Sequence, residues 1–228
     1  MKRHTFLRFS RTELGLWGGS VALILLLFGL FDGSGWLTLA ASLIGATSLI
    51  LNAKGHPLGQ ALMLVFSGLY GYISYTFAYY GEMLTYLGMT APMAAVALIS
   101  WLRHPYKGNR AEVAVGRLRR GETLWMLLLS LAVTGLFYFV LAYFDTANLL
   151  LSTLSVTTSF IAAYLTFRRS PWFAFAYAAN DIVLIGLWVL ASRENAAYIS
   201  VTVCFAVFLV NDLYGFIRWR HRQNRQQG

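Results

Sequence analysis

Residues 171–191 read Pro171-Trp172-Phe173-Ala174-Phe175-Ala176-Tyr177-Ala178-Ala179-Asn180-Asp181-Ile182-Val183-Leu184-Ile185-Gly186-Leu187-Trp188-Val189-Leu190-Ala191. The stretch is apolar throughout except for Asn180-Asp181 at its centre. About 20 apolar residues in a helix rising 1.5 Å per residue cross a hydrocarbon core of about 30 Å. An acid at that depth costs roughly 2.5 to 3.5 kcal/mol on insertion scales, so it faces a bundle interior or a wet cavity and marks a substrate or ion path. The dipeptide recurs as Asn211-Asp212 in a second apolar run.

The composition of the 228 residues extends this reading to the whole chain. It is 58% hydrophobic, 16% aromatic and only 12% charged, with a mean hydropathy of +0.59, whereas soluble domains carry about a quarter charged residues. An all-α integral membrane protein follows, residues 1–228 forming a single membrane domain. Eight spans are expected, near 13–31, 36–53, 59–79, 82–102, 122–143, 146–167, 171–191 and 197–219. The first is not expected to be a cleaved signal peptide, because Trp17 to Leu30 runs into Phe31-Asp32-Gly33-Ser34-Gly35 with no small-x-small site.

The basic residues test that parse, since cytoplasmic loops collect Lys and Arg. With the N-terminus inside, alternate loops receive Lys2, Arg3, Arg8 and Arg11; Lys54; Arg103, Lys107, Arg110, Arg117, Arg119 and Arg120; Arg168 and Arg169; and Arg218, Arg220, Arg222 and Arg225. Of the 18 basic residues only Arg193, beside Glu194, falls outside. Both termini are therefore expected in the cytoplasm. Topology thus explains the +9 net charge, and a basic nucleic-acid face on a soluble fold is excluded. The tail Arg218-Trp219-Arg220-His221-Arg222 is placed to touch anionic lipid headgroups.

Other chemistry is sparse. Cys204 is alone in an apolar run, so there is no disulfide framework. His4, His56, His104 and His221 all lie at or near basic ends, which argues against a metal site. No metal-ligand set, Ser-His-Asp arrangement or phosphate-cradling loop appears, so neither an intramembrane enzyme nor ATP-driven pumping is expected, and no cofactor is called for.

Internal repetition is visible. Ile99-Ser100-Trp101-Leu102-Arg103-His104 and Ile217-Arg218-Trp219-Arg220-His221-Arg222 end the fourth and eighth helices. Upstream of each, two helices join through a basic turn followed by proline, Lys54-Gly55-His56-Pro57 and Arg168-Arg169-Ser170-Pro171. Proline suits the first turn of the next helix. Polar pairs precede both turns, Thr47-Ser48 and Thr158-Ser159. The expected architecture is an extra helix (13–31), a three-helix repeat (36–102), a cytoplasmic loop (103–121), a linker helix (122–143), a second repeat (146–219) and a cytoplasmic tail (220–228). Such parallel repeats carry transport sites at their interface near the midplane. In the loop, Tyr106-Lys107-Gly108-Asn109 reads as a turn and Glu112 to Arg120 as a short surface helix on a tether.

Residues at i, i+3, i+4 and i+7 share a helix face. Asp181 shares a stripe with Tyr177, Leu184 and Trp188, a carboxylate among aromatic rings that suits a flat cation: stacking contributes roughly 0.5 to 2 kcal/mol and the counter-charge is poorly screened. Asn211 shares a face with Tyr214 and Gly215, and Asp212 with Phe208, Phe216 and Trp219. Ser67 falls with Gln60, Tyr70, Gly71 and Ser74. Such amides and hydroxyls serve a ribose or carboxamide. Elsewhere, Tyr79, Tyr80, Trp101, Tyr106 and Trp219 read as interfacial anchors, Gly68, Gly71, Gly186 and Gly215 as close-packing positions, and Glu82 and Asp145 as markers of outer helix ends.

These residues carry a resemblance. Ala53-Lys54-Gly55-His56, Ser67-Gly68-Leu69-Tyr70-Gly71-Tyr72-Ile73-Ser74-Tyr75, Tyr80-Gly81-Glu82-Met83 and Pro92-Met93 resemble the first half of the PnuC family of vitamin transporters. Asn211-Asp212-Leu213-Tyr214-Gly215-Phe216-Ile217-Arg218-Trp219 is similar to that family's closing Asn-Ser-x-Tyr-Gly-Tyr-x-x-Trp pattern.

The resemblance covers roughly residues 36 to 220. It implies a SWEET-like grouping of helices in a bacterial cytoplasmic membrane and facilitated diffusion of nicotinamide riboside. Trapping by a cytoplasmic kinase and a homotrimer are implied as well, and relatives are assigned to thiamine, riboflavin or deoxynucleosides. Ser67 and Asp181 stand where many relatives have Asn, Asp212 where they have Ser, and Asn211 matches. Two added acids fit a cationic vitamin better than neutral riboflavin. The expectation is a uniporter whose bundles rock around a midplane site, with Asp181 as counter-charge, Tyr177, Trp188 and Tyr70 stacking, and Asn180, Asn211, Gln60 and Ser67 bonding sugar and amide. Asp212, Tyr214, Thr158 and Ser159 complete the candidate set. A proton-coupled symporter, an intramembrane enzyme and a structural membrane protein are the alternatives.

Overall fold

The computed structural model describes residues 9–31, 35–76, 80–193 and 199–228. Lys2, Arg3, Arg8, Asp32, Tyr79 and Glu194, all used in the sequence reading, lie outside the described residues. Among those described, the chain forms eight helices: α1 Arg11–Phe31, α2 Trp36–Ala53, α3 Leu58–Thr76, α4 Tyr80–Arg103, α5 Glu122–Tyr143, α6 Leu149–Phe167, α7 Trp172–Ser192 and α8 Ile199–Gln227. Seven are long and apolar enough to cross a membrane. The eighth, α3, falls short because Gln60, Ser67, Ser74, Thr76 and several tyrosines dilute it.

Two helix boundaries and one helix interior differ from expectation. Helix α6 starts at Leu149 rather than 146 because the residues before it close α5: Thr146 N–H donates to Leu141 O at 3.0 Å with Asp145 in the left-handed region at φ 50°, a helix-ending motif. Helix α8 continues past 219 to Gln227, so the expected tail is helical. Helix α4 contains a π turn over Tyr86–Thr90, a feature that tends to occur at functional sites.

The helices pack as a closed ring. Helix α2 lies on α3, α3 on α4, α4 on α6, α6 on α7, α7 on α8, and α8 back on α2; α1 lies against α2 and α8, and α5 against α6. The two basic turns that join α2 to α3 and α6 to α7 close alike. Gly55 N–H donates to Asn52 O and His56 N–H to Leu51 O; Arg169 N–H donates to Thr166 O and Ser170 N–H to Leu165 O. Both turns pivot on a left-handed residue, Gly55 at φ 64° and Arg169 at φ 55°. Burial, then the charge of Lys54, lower the pKa of His56 below its usual value, which leaves Nδ1 to accept from Leu58 N–H at 3.1 Å.

Trp101 and Trp219 are not interfacial anchors: they are 1% and 0% exposed. With Val113, Met126, Leu165, Phe173 and Ala174 they form an apolar layer at the basic end of the bundle.

The loop between α4 and α5 is no tether, and Glu112 to Arg120 is not a helix. Pro105–Tyr106 (β1) and Asn109–Val113 (β2) make a small antiparallel hairpin, its turn formed by Lys107 at φ 49° and Gly108 at φ 77°, the positive-φ pair of a two-residue hairpin. The N–H groups that a helix would bond internally go elsewhere. Val113 donates to Gly55 O and Gly116 to Arg169 O, each at 3.0 Å, so the loop is stitched to both basic turns. Glu112 pairs with Arg222 and Arg225 on α8.

Helix α1 is held at its start by a capping box. Ser10 N–H donates to Glu13 Oε2 at 2.8 Å and Glu13 N–H to Ser10 Oγ at 3.2 Å. Buried Glu13 also pairs with Lys54 at 2.8 Å and Arg218 at 3.6 Å, fastening α1 to the α2–α3 turn and to α8. Of the four glycines read as packing positions, Gly71 and Gly215 face close neighbours while Gly68 and Gly186 face open space.

Candidate functional site

The ring encloses a cavity of about 1140 Å³, counting the open space at its mouth. Its floor is toward the tryptophan layer, and Glu82, Leu141 and Thr146 line it at the end away from the basic turns. The periodicity of α7 explains one wall, since Tyr177, Asn180, Asp181, Leu184 and Trp188 all face inward on one stripe. Helix α8 adds Phe205, Phe208 and Asp212, α6 adds Ser152, Ser155 and Ser159, and α4 adds Thr85, Tyr86, Met89 and Thr90 from its π-turn face.

Asp181 and Asp212 are 4% and 6% exposed, both line the cavity, and they lie within electrostatic reach of one another. Two buried carboxyl groups so close repel one another when charged, and a bound cation offsets that repulsion. The second oxygen of Asp181, Oδ2, has no hydrogen-bond partner among the described residues. A buried unpartnered acceptor costs of order 1 to 3 kcal/mol, and a ligand bearing positive charge relieves that cost.

Asn180 is set by two hydroxyls. Thr158 Oγ1 and Ser159 Oγ donate to its Oδ1 at 2.7 and 3.0 Å, which leaves the amide N–H groups as its available donors.

Six sequence candidates therefore line the cavity: Tyr177, Asn180, Asp181, Trp188, Ser159 and Asp212. The structure does not bring the other six to its walls. Thr158 sits behind Asn180. Gln60 Nε2 donates to Asn52 Oδ1 at 2.9 Å, and Ser67 Oγ to Met63 O at 2.8 Å. Tyr70 stacks on Tyr86 at 4.7 Å between centroids and lines a second, more apolar cavity against α1. Asn211 turns toward α1, its Nδ2 donating to Ser20 Oγ at 3.0 Å. Tyr214 is half-buried beside it on α8. A helical stripe has a definite direction only once its neighbours are known, and the ring points the Asn211 stripe at α1.

Glu82, read as the marker of an outer helix end, does stand in the first turn of α4 and in addition lines the cavity. Its i+3, i+4 and i+7 neighbours Thr85, Tyr86 and Met89 do the same, so the stripe that reveals it was present in the sequence.

The sequence pattern of a family described as nicotinamide mononucleotide transporters matches residues 35–221. The chain belongs to that family. It is therefore a multi-pass membrane transporter of the bacterial inner membrane and not an enzyme. Among its relatives in the family, the nicotinamide riboside transporter PnuC of Neisseria mucosa is 26% identical over 202 residues, which are 87% of this chain and 77% of that protein. The nicotinamide riboside transporter PnuC of Haemophilus influenzae is 22% identical over 184 residues, 81% of this chain and 79% of that protein. The crystal structure of the vitamin B3 transporter PnuC matches with a TM-score of 0.82 at 25% identity, over 99% of this chain and 97% of that one.

Proposed function

We propose that this chain carries nicotinamide riboside across the membrane by facilitated diffusion, with Asp181 as the counter-charge to the pyridinium ring. The observation that carries the reading is the buried Asp181 carboxyl, one oxygen unpartnered, in a cavity that Tyr177 and Trp188 also line. A buried acid pair suits a cation, and the rings supply the stacking surface. Asn180 would donate to a ribose or carboxamide oxygen and Ser159 would bond the sugar. The curated relatives' named substrate supports the choice among cationic vitamins, with thiamine the nearest alternative.

The fold is read as two parallel three-helix bundles, α2–α4 and α6–α8, joined by α5 and preceded by α1. The congruent basic turns and the ring in which each bundle's first helix meets the other's last support this reading. The bundles would rock around the cavity, with the tryptophan layer sealing the end where the basic residues gather. That end is taken as cytoplasmic by the positive-inside rule, so both termini face the cytoplasm, where phosphorylation by a kinase would trap the product. Uptake of labelled nicotinamide riboside by proteoliposomes, saturable and competed by unlabelled compound, tests the function; passive leak alone would reject it.

The buried acid pair favours one further reading, coupling to protons. A pH gradient imposed across the same vesicles, with the membrane potential clamped at zero, separates it from uniport, because only a coupled carrier then accumulates substrate against its gradient.

A further inference from the structure

Glu82 lines the cavity at the end away from the basic turns, the end read as its mouth, and the backbone around it is tightly placed. A Cβ on the preceding Gly81 would lie 2.6 Å from Thr146 Oγ1 and 2.9 Å from a Leu141 methyl, so α4 is pressed against the α5–α6 connection at this level. One residue further along the helix, about 100° around the axis, Glu82 points into the cavity with Thr85, Tyr86 and Met89. Among the described residues no cation and no hydrogen-bonding partner stands beside its carboxyl.

Tyr86, one turn on, lies within electrostatic reach of both Glu82 and Asp181. Its ring is braced by Tyr70 at 4.7 Å and Phe66 at 6.0 Å. Deeper in the cavity waits Asp181, 4% exposed with Oδ2 unpartnered. Acid, aromatic ring and acid thus follow one another from the mouth inward.

We infer that Glu82 is an outer capture residue for the cationic substrate, holding it at the mouth before Tyr86 and then Asp181 receive it. The inference rests on the reading of the cavity as a cation site. The counter-charge in the final complex is assigned to Asp181, deeper in the cavity, so Glu82 adds attraction on the way in rather than a bond in that complex. An unpaired charge at a low-dielectric mouth raises the arrival rate of an opposite charge and is screened by salt. Its removal therefore changes association and leaves dissociation alone.

Stopped-flow binding of nicotinamide riboside to the purified full-length protein, across a salt series, tests this. Reduced nicotinamide riboside, uncharged but of similar shape, is the control ligand. Glu82→Gln is expected to slow association of the cation roughly 3- to 10-fold at low salt, with the difference closing at high salt, dissociation unchanged and the neutral ligand unaffected. Glu82→Asp, which keeps the charge, is expected to retain fast association. The inference is overturned if Glu82→Gln binds the cation as fast as the wild type at every salt concentration, or slows both ligands equally. Should Glu82→Gln not fold, the wild type decides: association of the cation no more salt-sensitive than that of the neutral ligand overturns it. A wild type that binds the cation and fails this test rejects Glu82 alone; one that binds no cation rejects the cation site as well.

Discussion

Trp101 and Trp219 pack tilted at 50° with ring centroids 5.4 Å apart, and each indole reaches to the far end of a different helix: Trp101 Nε1 donates to Thr166 O at 2.9 Å and Trp219 Nε1 to Asn52 O at 2.8 Å. Thr166 and Asn52 hold the same position, two residues before the basic residue of their turns. The two bonds therefore fasten α4 to α6 and α8 to α2 by one device used twice.

Trp101→Phe and Trp219→Phe keep an aromatic ring and remove the N–H donor. Each is expected to lower stability by about 1 kcal/mol, the net worth of one buried hydrogen bond. The double variant should depart from additivity, because the rings touch. Thermal unfolding of the three variants in one detergent checks both points.

Asn211 and Asp212 are adjacent in sequence and serve different neighbours. Ser20→Ala removes the acceptor of the Asn211 amide on α1. It is expected to lower thermal stability while leaving the affinity for nicotinamide riboside within about 2-fold, since a neighbour outside the cavity contributes little to binding. Isothermal titration beside a melting curve makes the comparison.

Gly116 sits where the loop crosses the α6–α7 turn, and a Cβ there would lie 2.1 Å from Arg168 O. Backbone cannot step aside as a side-chain tip can. Gly116→Ala is expected to cost about 1 to 3 kcal/mol, the usual penalty of overpacking, and to release the hairpin. Faster hydrogen exchange at Val113, whose N–H is held by Gly55 O, reports the release.

Much of this was legible in the sequence. Helix number follows from apolar length, and the Asp181 stripe follows from period, because both are local properties of the chain. Direction is not local. Trp101 and Trp219 look like membrane-surface residues until the ring shows that each helix end meets a partner with a carbonyl to spare. Asn211 looks like a site residue until α1 supplies Ser20. Glu112 to Arg120 has the composition of a surface helix, and only the two basic turns, distant in sequence, draw its N–H groups into an extended path. Glu82 reads correctly as a helix-end acid; that it also lines the cavity depends on which way its stripe turns, and the ring decides that.

The most direct measurement of the central claim is proteoliposome uptake by Asp181→Asn, with the variant's fold verified by its elution and melting behaviour. Asparagine keeps the shape and removes the charge, and a lost charge-assisted contact of about 1.4 kcal/mol is a tenfold change. The KM for nicotinamide riboside is expected to rise about tenfold, while uptake of its neutral reduced form changes little. Uptake of the cation at the wild-type KM would contradict the account.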